Sequence, residues 1–262
     1  SILYYTPPCA DLAELLCQKT GMKKVFFSNS GAEANECAIK AARKYAAEKY
    51  GADRFTVATM KNSFHGRTLT TLAATGQDHY HELYQPLTPG FASVTANAGT
   101  AELDALHKNS PVAAVMIECI QGEGGVLPLE PAFVCGVAAW CKQNGALLIV
   151  DEVQTGNGRT GKLYAYMNYG ITPDIVTTAK GLAGGLPLGA TLLGDKVENV
   201  FGFGDHGSTF GGNPVSCAAA ISILSRIDGE LLDGVKKKGD SLRKTFSGAK
   251  GIESVSGSGL LL

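Results

Sequence analysis

The chain carries almost no net charge: 23 Lys and Arg against 24 Asp and Glu leave a formal charge of -1 over 262 residues. That balance gives no electrostatic case for nucleic acid or an anionic membrane, both of which call for a field of one sign. No apolar run approaches the roughly 20 residues needed to span a bilayer. The opening Ser1-Ile2-Leu3-Tyr4-Tyr5 holds no basic segment of a signal peptide, so a cytoplasmic protein acting on a small molecule is expected. Cys-x-x-Cys spacing is also absent. The seven cysteines, Cys9, Cys17, Cys37, Cys119, Cys135, Cys141 and Cys217, are odd in number and scattered. They suggest no metal site and read mostly as small core residues in a reducing compartment. Internal repeats and low-complexity tracts are missing, as are a Walker loop and Gly-x-Gly-x-x-Gly, which weakens a nucleotide reading.

What is present is a globular pattern, with 45% hydrophobic and 18% charged residues in a chain long enough for one large or two ordinary domains. Residues 11–20 read as a helix with Leu12, Leu15 and Leu16 on one side, followed by a short strand at Val25-Phe26-Phe27. A long helix then places Ala34, Cys37, Ala38, Ala41, Ala42 and Tyr45 at helical spacing. Apolar runs at 55–58, 112–117, 146–150, 175–178 and 190–193 alternate with further helical patterns, which implies an α/β fold with a mainly parallel sheet covered on both faces. Residues 214–227 read as a helix and 228–250 as a solvated one, before a strand-like start at Leu260-Leu261-Leu262. The expected division is a large domain over 1–227, then a linker helix and the beginning of an incomplete C-terminal small domain over 228–262.

The chemistry gathers between 147 and 181. The apolar run Leu147-Leu148-Ile149-Val150 stops at Asp151, a Gly-rich loop follows, and a second run, Ile175-Val176-Thr177-Thr178-Ala179, stops at Lys180. Two such runs deliver an acid and an amine to one sheet edge, where α/β enzymes place their ligands. A lysine desolvated by an apolar strand suits Schiff-base chemistry, because burial disfavours its charged form. A carboxylate beside it suits a protonated ring nitrogen. Taken singly, Asp151-Glu152 reads as a cap or a solvated strand end and Ala179-Lys180-Gly181 as a surface turn.

Three more segments carry polar groups to strand ends. Ser30 and Glu33 have capping-box spacing, so the long helix should start at Ser30-Gly31-Ala32 with free N–H groups able to meet a phosphate, or simply with an ordinary cap. In Asn62-Ser63-Phe64-His65-Gly66-Arg67-Thr68 an aromatic able to stack on a ring precedes an arginine able to grip a carboxylate, although Phe64 could be core and Arg67 a surface ion pair. His206-Gly207-Ser208-Thr209-Phe210-Gly211-Gly212-Asn213-Pro214 is a second Gly-rich entry to a helix, which Pro214 begins.

Together these segments resemble the class III aminotransferases along nearly the whole chain. The resemblance implies a three-layer αβα large domain of the fold type I, pyridoxal-phosphate-dependent kind, leading into an α+β small domain. Pyridoxal 5'-phosphate is the implied cofactor, bonded to Lys180, with Asp151 keeping its ring nitrogen protonated. Ser30, Gly31 and Ala32 would hold its phosphate and Phe64 would cover the ring, with His65 packed beside it. Glu118, Val153 and Gln154 would make further contacts. A homodimer is implied in which Thr209 reaches the cofactor of the other subunit, with Ser208 beside it. Arg67 would bind the substrate carboxylate remote from the transferred amine. Glu123, in Gln121-Gly122-Glu123-Gly124-Gly125, would pair with an arginine of the C-terminal domain. Asn157, in the Gly-x-Gly turn, occupies a position where a larger apolar residue would be expected.

Within the class, the wording of residues 26–36 and 62–68 is most like members that move the terminal amine of N2-acetylornithine to 2-oxoglutarate in arginine biosynthesis. Members acting on succinylornithine or succinyl-diaminopimelate share nearly all of it. Other ω-aminotransferases, for ornithine or 4-aminobutyrate, an aminomutase and a non-catalytic phosphate-binding domain are the alternatives.

Overall fold

A computed structural model describes residues 4–262. Its strands are β1 (Lys24–Ser28), β2 (Thr56–Met60), β3 (Phe91–Val94), β4 (Val112–Ile117), the short pair β5 (Ile120–Gln121) and β6 (Leu127–Pro128), β7 (Leu147–Asp151), β8 (Ile175–Thr178) and β9 (Gly189–Leu193). Seven of them form one sheet in the order β1-β9-β8-β7-β4-β2-β3. β2, β3, β4, β7 and β8 pair in parallel, while β9 runs antiparallel to both β8 and β1. The mainly parallel sheet was legible in the apolar runs, but two features were not. β3 is a half-exposed edge strand with no apolar run, and β9 is reversed because the 179–188 connection holds only a 3-10 turn instead of a crossover helix.

The sheet is the middle of three layers. Side chains alternate along each buried strand, as period two requires. Val115, Ile117, Leu148, Val150 and Val176 face one core, together with Leu12 and Leu16 of α1 (Pro7–Thr20). α4 (Ala101–Asn109), α5 (Pro131–Asn144) and α6 (Pro214–Leu224) complete that layer through Leu103, Val134 and Leu224. Ala114, Met116, Leu147, Ile149 and Ile175 face the other core, against Ala38, Ile39 and Ala42 of α2 (Gly31–Tyr50) and Ala74 of α3 (Leu69–Ala74).

Helix ends follow local chemistry. α1 starts four residues before the expected Asp11 because Pro7 and Pro8 fit the first turn. α6 begins at Pro214, with Asn213 capping Ser216 N–H at 2.9 Å. The amphipathic α7 (Gly229–Ser247) is capped by Asp228. After it the chain folds back: a Cβ on Gly239 would sit 2.1 Å from the Gly259 carbonyl oxygen, and Leu260 N–H donates to the Arg159 carbonyl at 2.9 Å. Residues 260–262 form no strand, only a bridge between Ser258 and Leu261. Among the described residues no helix is long and apolar enough to cross a membrane.

Candidate active site

The parallel strands β2, β4, β7 and β8 end at one edge, beside the N-terminus of α2, and a cleft of about 270 Å3 opens there. Its floor is Asp151, His65, Asn35 and Glu118. Gly31, Ala32 and Val153 form one part of the wall, Phe64 and Arg67 another, with Gln154, Lys180 and Glu123 at the mouth.

Asp151 is the last residue of β7 and is 3% exposed. Its Oδ2 accepts from Asn35 Nδ2 at 2.8 Å and lies 2.8 Å from His65 Nδ1, and its Oδ1 accepts from Val153 N–H at 3.0 Å. A carboxylate has about four acceptor positions, so Oδ1 keeps one for a group in the cleft. The floor is braced from below, since Asn35 also donates to the His65 carbonyl at 2.7 Å and accepts from the Thr177 hydroxyl at 2.7 Å.

Burial alone would lower the His65 imidazole. The hydrogen bond to Asp151 and the charges of Asp151 and Glu118 outweigh it and raise His65 above the ordinary histidine value. Glu118 goes up to about 8, driven first by burial and then by the Asp151 charge, against the pull of His65, Phe64 N–H and Lys180. It accepts from Phe64 N–H at 2.9 Å and so fixes the loop that carries the aromatic wall. Glu152 points away from the cleft: buried and pushed up to about 7, it accepts from Tyr166 N–H at 2.8 Å and anchors the segment after the Gly-rich loop.

Ser30 caps α2, its hydroxyl accepting from Glu33 N–H at 3.2 Å, while the Glu33 carboxylate accepts from Asn29 N–H at 2.8 Å. The N–H groups of Gly31 and Ala32 are left without an acceptor among the described residues, at the positive end of the helix dipole. Two glycines make the approach possible. A Cβ on Gly31 would lie 2.6 Å from Val153 Cγ1, and one on Gly66, at φ 139°, would lie 2.5 Å from Thr71 Oγ1. The cup and the Asp151 strand end therefore share a wall.

Lys180 follows β8 by two residues and opens a 3-10 turn at φ 46°. For a residue with a Cβ the left-handed region costs on the order of 1 kcal/mol. Its amine donates to Gln154 Oε1, and Gln154 lies flat on Gly122, where a Cβ would overlap Gln154 Nε2 at 1.5 Å. One expectation is corrected here: Lys180 is exposed in the single chain, not desolvated by an apolar strand. The reason is that β8 has ended by Thr178, so the lysine stands on the turn beyond the sheet.

Phe64 meets Tyr80 edge-on at 5.5 Å between ring centroids. The exposed Arg67 guanidinium lies 5.8 Å from both rings, and no carboxylate among the described residues pairs with it. Glu123 is exposed at the mouth. Ser208 and Thr209 do not line the cleft. Ser208 Oγ is engaged by Asn29 Nδ2 at 3.2 Å and Gly211 N–H at 3.0 Å, while Thr209 is exposed.

A flat heteroaromatic phosphate fits these residues. The cleft offers unpaired helix N–H donors for the phosphate, Phe64 and Val153 for ring faces, one acceptor position on Asp151 for a ring N–H, and an amine at the mouth. Sequence reasoning had named each of them. It missed Asn35, which on α2 sits one turn past Gly31 and looks like an ordinary polar helix residue. It also missed Tyr80, which lies in a 3-10 turn (Asp78–Tyr80) outside any motif.

The sequence matches the family described as "Aminotransferase class-III" over residues 1–262. It is 52% identical over 262 residues to an acetylornithine aminotransferase of Haemophilus ducreyi, taking in 100% of this chain and 66% of that protein. It is 47% identical over 238 residues to a succinylornithine transaminase of Citrobacter koseri, covering 90% of this chain and 58% of that one. A crystal structure of ornithine aminotransferase from Toxoplasma gondii superposes with a TM-score of 0.90 at 34% identity, covering 98% of this chain and 63% of that one, and is described with PLP in partial occupancy at its active site. The chain thus spans just under two thirds of the length of these relatives.

Proposed function

The chain belongs to the class-III aminotransferases, and from that premise we propose that its cleft binds pyridoxal 5'-phosphate and transfers the terminal amine of N2-acetylornithine to 2-oxoglutarate, as in arginine biosynthesis. The observation that carries this reading is the pairing of a free acceptor position on buried Asp151 with the Lys180 amine, on neighbouring strand ends beside open helix N–H groups.

The roles follow from the placement. Gly31 and Ala32 N–H, left open where Ser30 caps the Glu33 N–H and aided by the α2 dipole, hold the phosphate. Phe64 and Val153 flank the ring. Asp151, braced by Asn35 and His65, keeps a proton on the ring nitrogen. The bound cofactor supplies an electron sink for the pair left on the donor carbon when its proton is removed. Lys180 Nζ would hold the cofactor and would take up and return that proton, with Gln154 orienting the amine. Glu118, adjoining His65 and Phe64, stabilises the floor. Arg67 grips the carboxylate of the donor through its planar fork. 2-Oxoglutarate would take the donor's place in the same cleft and receive the amine.

The rest of the assembly belongs to the same reading. A homodimer places the exposed Thr209 against the phosphate of the partner subunit, with Ser208 setting its loop. Residues 228–262 lead from the cofactor-binding domain toward a small one, whose arginine pairs with Glu123. The seven unpaired thiols fit a reducing, cytoplasmic compartment. The 47% identity to a succinylornithine transaminase makes succinylornithine the second donor to consider.

The test is a side-by-side assay of glutamate formation from 2-oxoglutarate with N2-acetylornithine, succinylornithine, ornithine and 4-aminobutyrate. The highest kcat/KM is expected for N2-acetylornithine. A preference for succinylornithine selects the second reading, and no consumption of 2-oxoglutarate with any donor overturns both.

A further inference from the structure

The ladder between β7 and β8 gives out just before the site. Its last backbone hydrogen bond runs from Glu152 N–H to the Thr177 carbonyl at 2.8 Å. Beyond it the β7 chain enters the Gly-rich loop, and the β8 chain continues through Thr178 and Ala179 to Lys180. Side chains join the two there: Gln154 accepts from the Lys180 amine, and Asn157 holds the backbone just before it. Asn157 Nδ2 donates to Thr178 Oγ1 at 3.1 Å and to the Ala179 carbonyl at 3.1 Å. The second of these acceptors belongs to the residue immediately before Lys180.

The position is built for this residue type. Asn157 has φ 56°, between Gly156 and Gly158, where asparagine is tolerated far better than a branched or bulky side chain. It packs close under the turn, with its Cβ 3.7 Å from where a Cβ on Gly181 would be. Its Oδ1 is buried and has no hydrogen-bond partner among the described residues, so the amide is held by its donor end alone. A larger apolar residue would fill the same space and supply no donor.

We propose that Asn157 is a positioning residue for Lys180. It extends the sheet register past the point where the backbone ladder stops, and so holds the left-handed Lys180 turn in line with Gln154 and Asp151, which stand on its own side of the gap. The backbone part of this proposal stands on the hydrogen bonds alone, and its consequence for amine transfer rests on the function proposed above.

Two readouts separate the parts. In the cofactor-free protein, Asn157→Gly and Asn157→Asp remove the donor while tolerating the backbone angle. Hydrogen–deuterium exchange of a peptide spanning 178–183 should quicken by about tenfold, the factor that one or two lost side-chain hydrogen bonds represent, with the peptides of β4 and α2 unchanged. In the cofactor-loaded enzyme, kcat should fall while KM for the donor stays as in the wild type, because the donor grip of Arg67 is untouched. Unchanged exchange at 178–183 in the Asp variant overturns the proposal. So does exchange that quickens evenly over the whole chain, which would mark a merely structural role. If Asn157→Gly does not fold, Asn157→Asp decides alone. Borohydride reduction of the loaded wild type, mapped by peptide mass, reports separately on the function: an adduct away from Lys180 defeats that reading while leaving the exchange result to judge Asn157.

Discussion

Asp151 ends β7 and Lys180 follows the end of the adjacent parallel strand β8 by two residues, yet the two places are made in opposite ways. The Asp151 end is closed: its carboxylate is buried, takes donors from Asn35 and Val153 as well as the His65 contact, and those neighbours are tied in turn to Thr177 and the 62–68 loop. The Lys180 end is open. The lysine is exposed, stands beyond the sheet in a left-handed turn, and is steadied by two amide side chains, Gln154 and Asn157. A group that must hold one proton in one place is served by a rigid, saturated surround. A group that must bond, leave and return needs a backbone that is fixed and a side chain that is free.

The largest effect should come from the open end. Lys180→Ala is expected to lower amine transfer by about a thousandfold or more, within the range for loss of a positioned proton carrier, and to leave the thermal midpoint of the cofactor-free protein near that of the wild type, as measured by calorimetry. A large drop in that midpoint would mean the turn is structural and would erase the contrast between the ends.

Asp151→Asn keeps the shape and removes the charge. Amine transfer should fall by about a hundredfold, as when a preorganised electrostatic partner is lost. The imidazole of His65, followed by NMR in the cofactor-free protein, should titrate lower than in the wild type, since burial then meets only the Glu118 charge. A His65 titration that does not move would show that the carboxylate is not what sustains it.

Asn35→Ala tests whether the closed end is a braced unit. It strips a donor from Asp151 Oδ2 and from the His65 carbonyl, and the acceptor from Thr177. Urea unfolding should show a loss of about 1–3 kcal/mol, the cost of leaving buried polar groups unpaired.

The smallest effect is a slope. Glu118 rises from its ordinary 4.5 to about 8 in the folded chain, so between those values the folded state holds a proton that the unfolded state has released. Stability therefore falls as pH rises through that window, and the full cost is present above about 8. His65, also raised, adds a decline of the same sign above its ordinary 6.5. The thermal midpoint of the cofactor-free protein should drop from pH 5 to pH 8, and Glu118→Gln should flatten that drop; an unchanged slope would remove Glu118 as its source.

Much of the comparison was readable before any coordinates. Apolar runs marked both strands, because a buried parallel strand reads as a continuous hydrophobic run; the first ends at Asp151 as read, the second two residues short of Lys180. Ser30 to Glu33 marked the helix start, because capping is local chemistry. What was not readable depended on distance in sequence. Asn35 reaches Asp151 across 116 positions, and Tyr80 meets Phe64 from an irregular loop. The exposure of Lys180 was missed because the apolar run suggested that the strand carries on to the lysine, whereas it ends at Thr178. In the sequence Asn157 reads only as a departure from an apolar residue, and it takes the fold to bring its amide to the Ala179 carbonyl.

The most direct test of the central claim is to load the protein with pyridoxal 5'-phosphate, reduce it with borohydride and map the added mass by peptide. The account predicts a single modified residue, Lys180, and loss of that modification when N2-acetylornithine is added before the reductant. A label on any other lysine, or one that persists in Lys180→Ala, would contradict it.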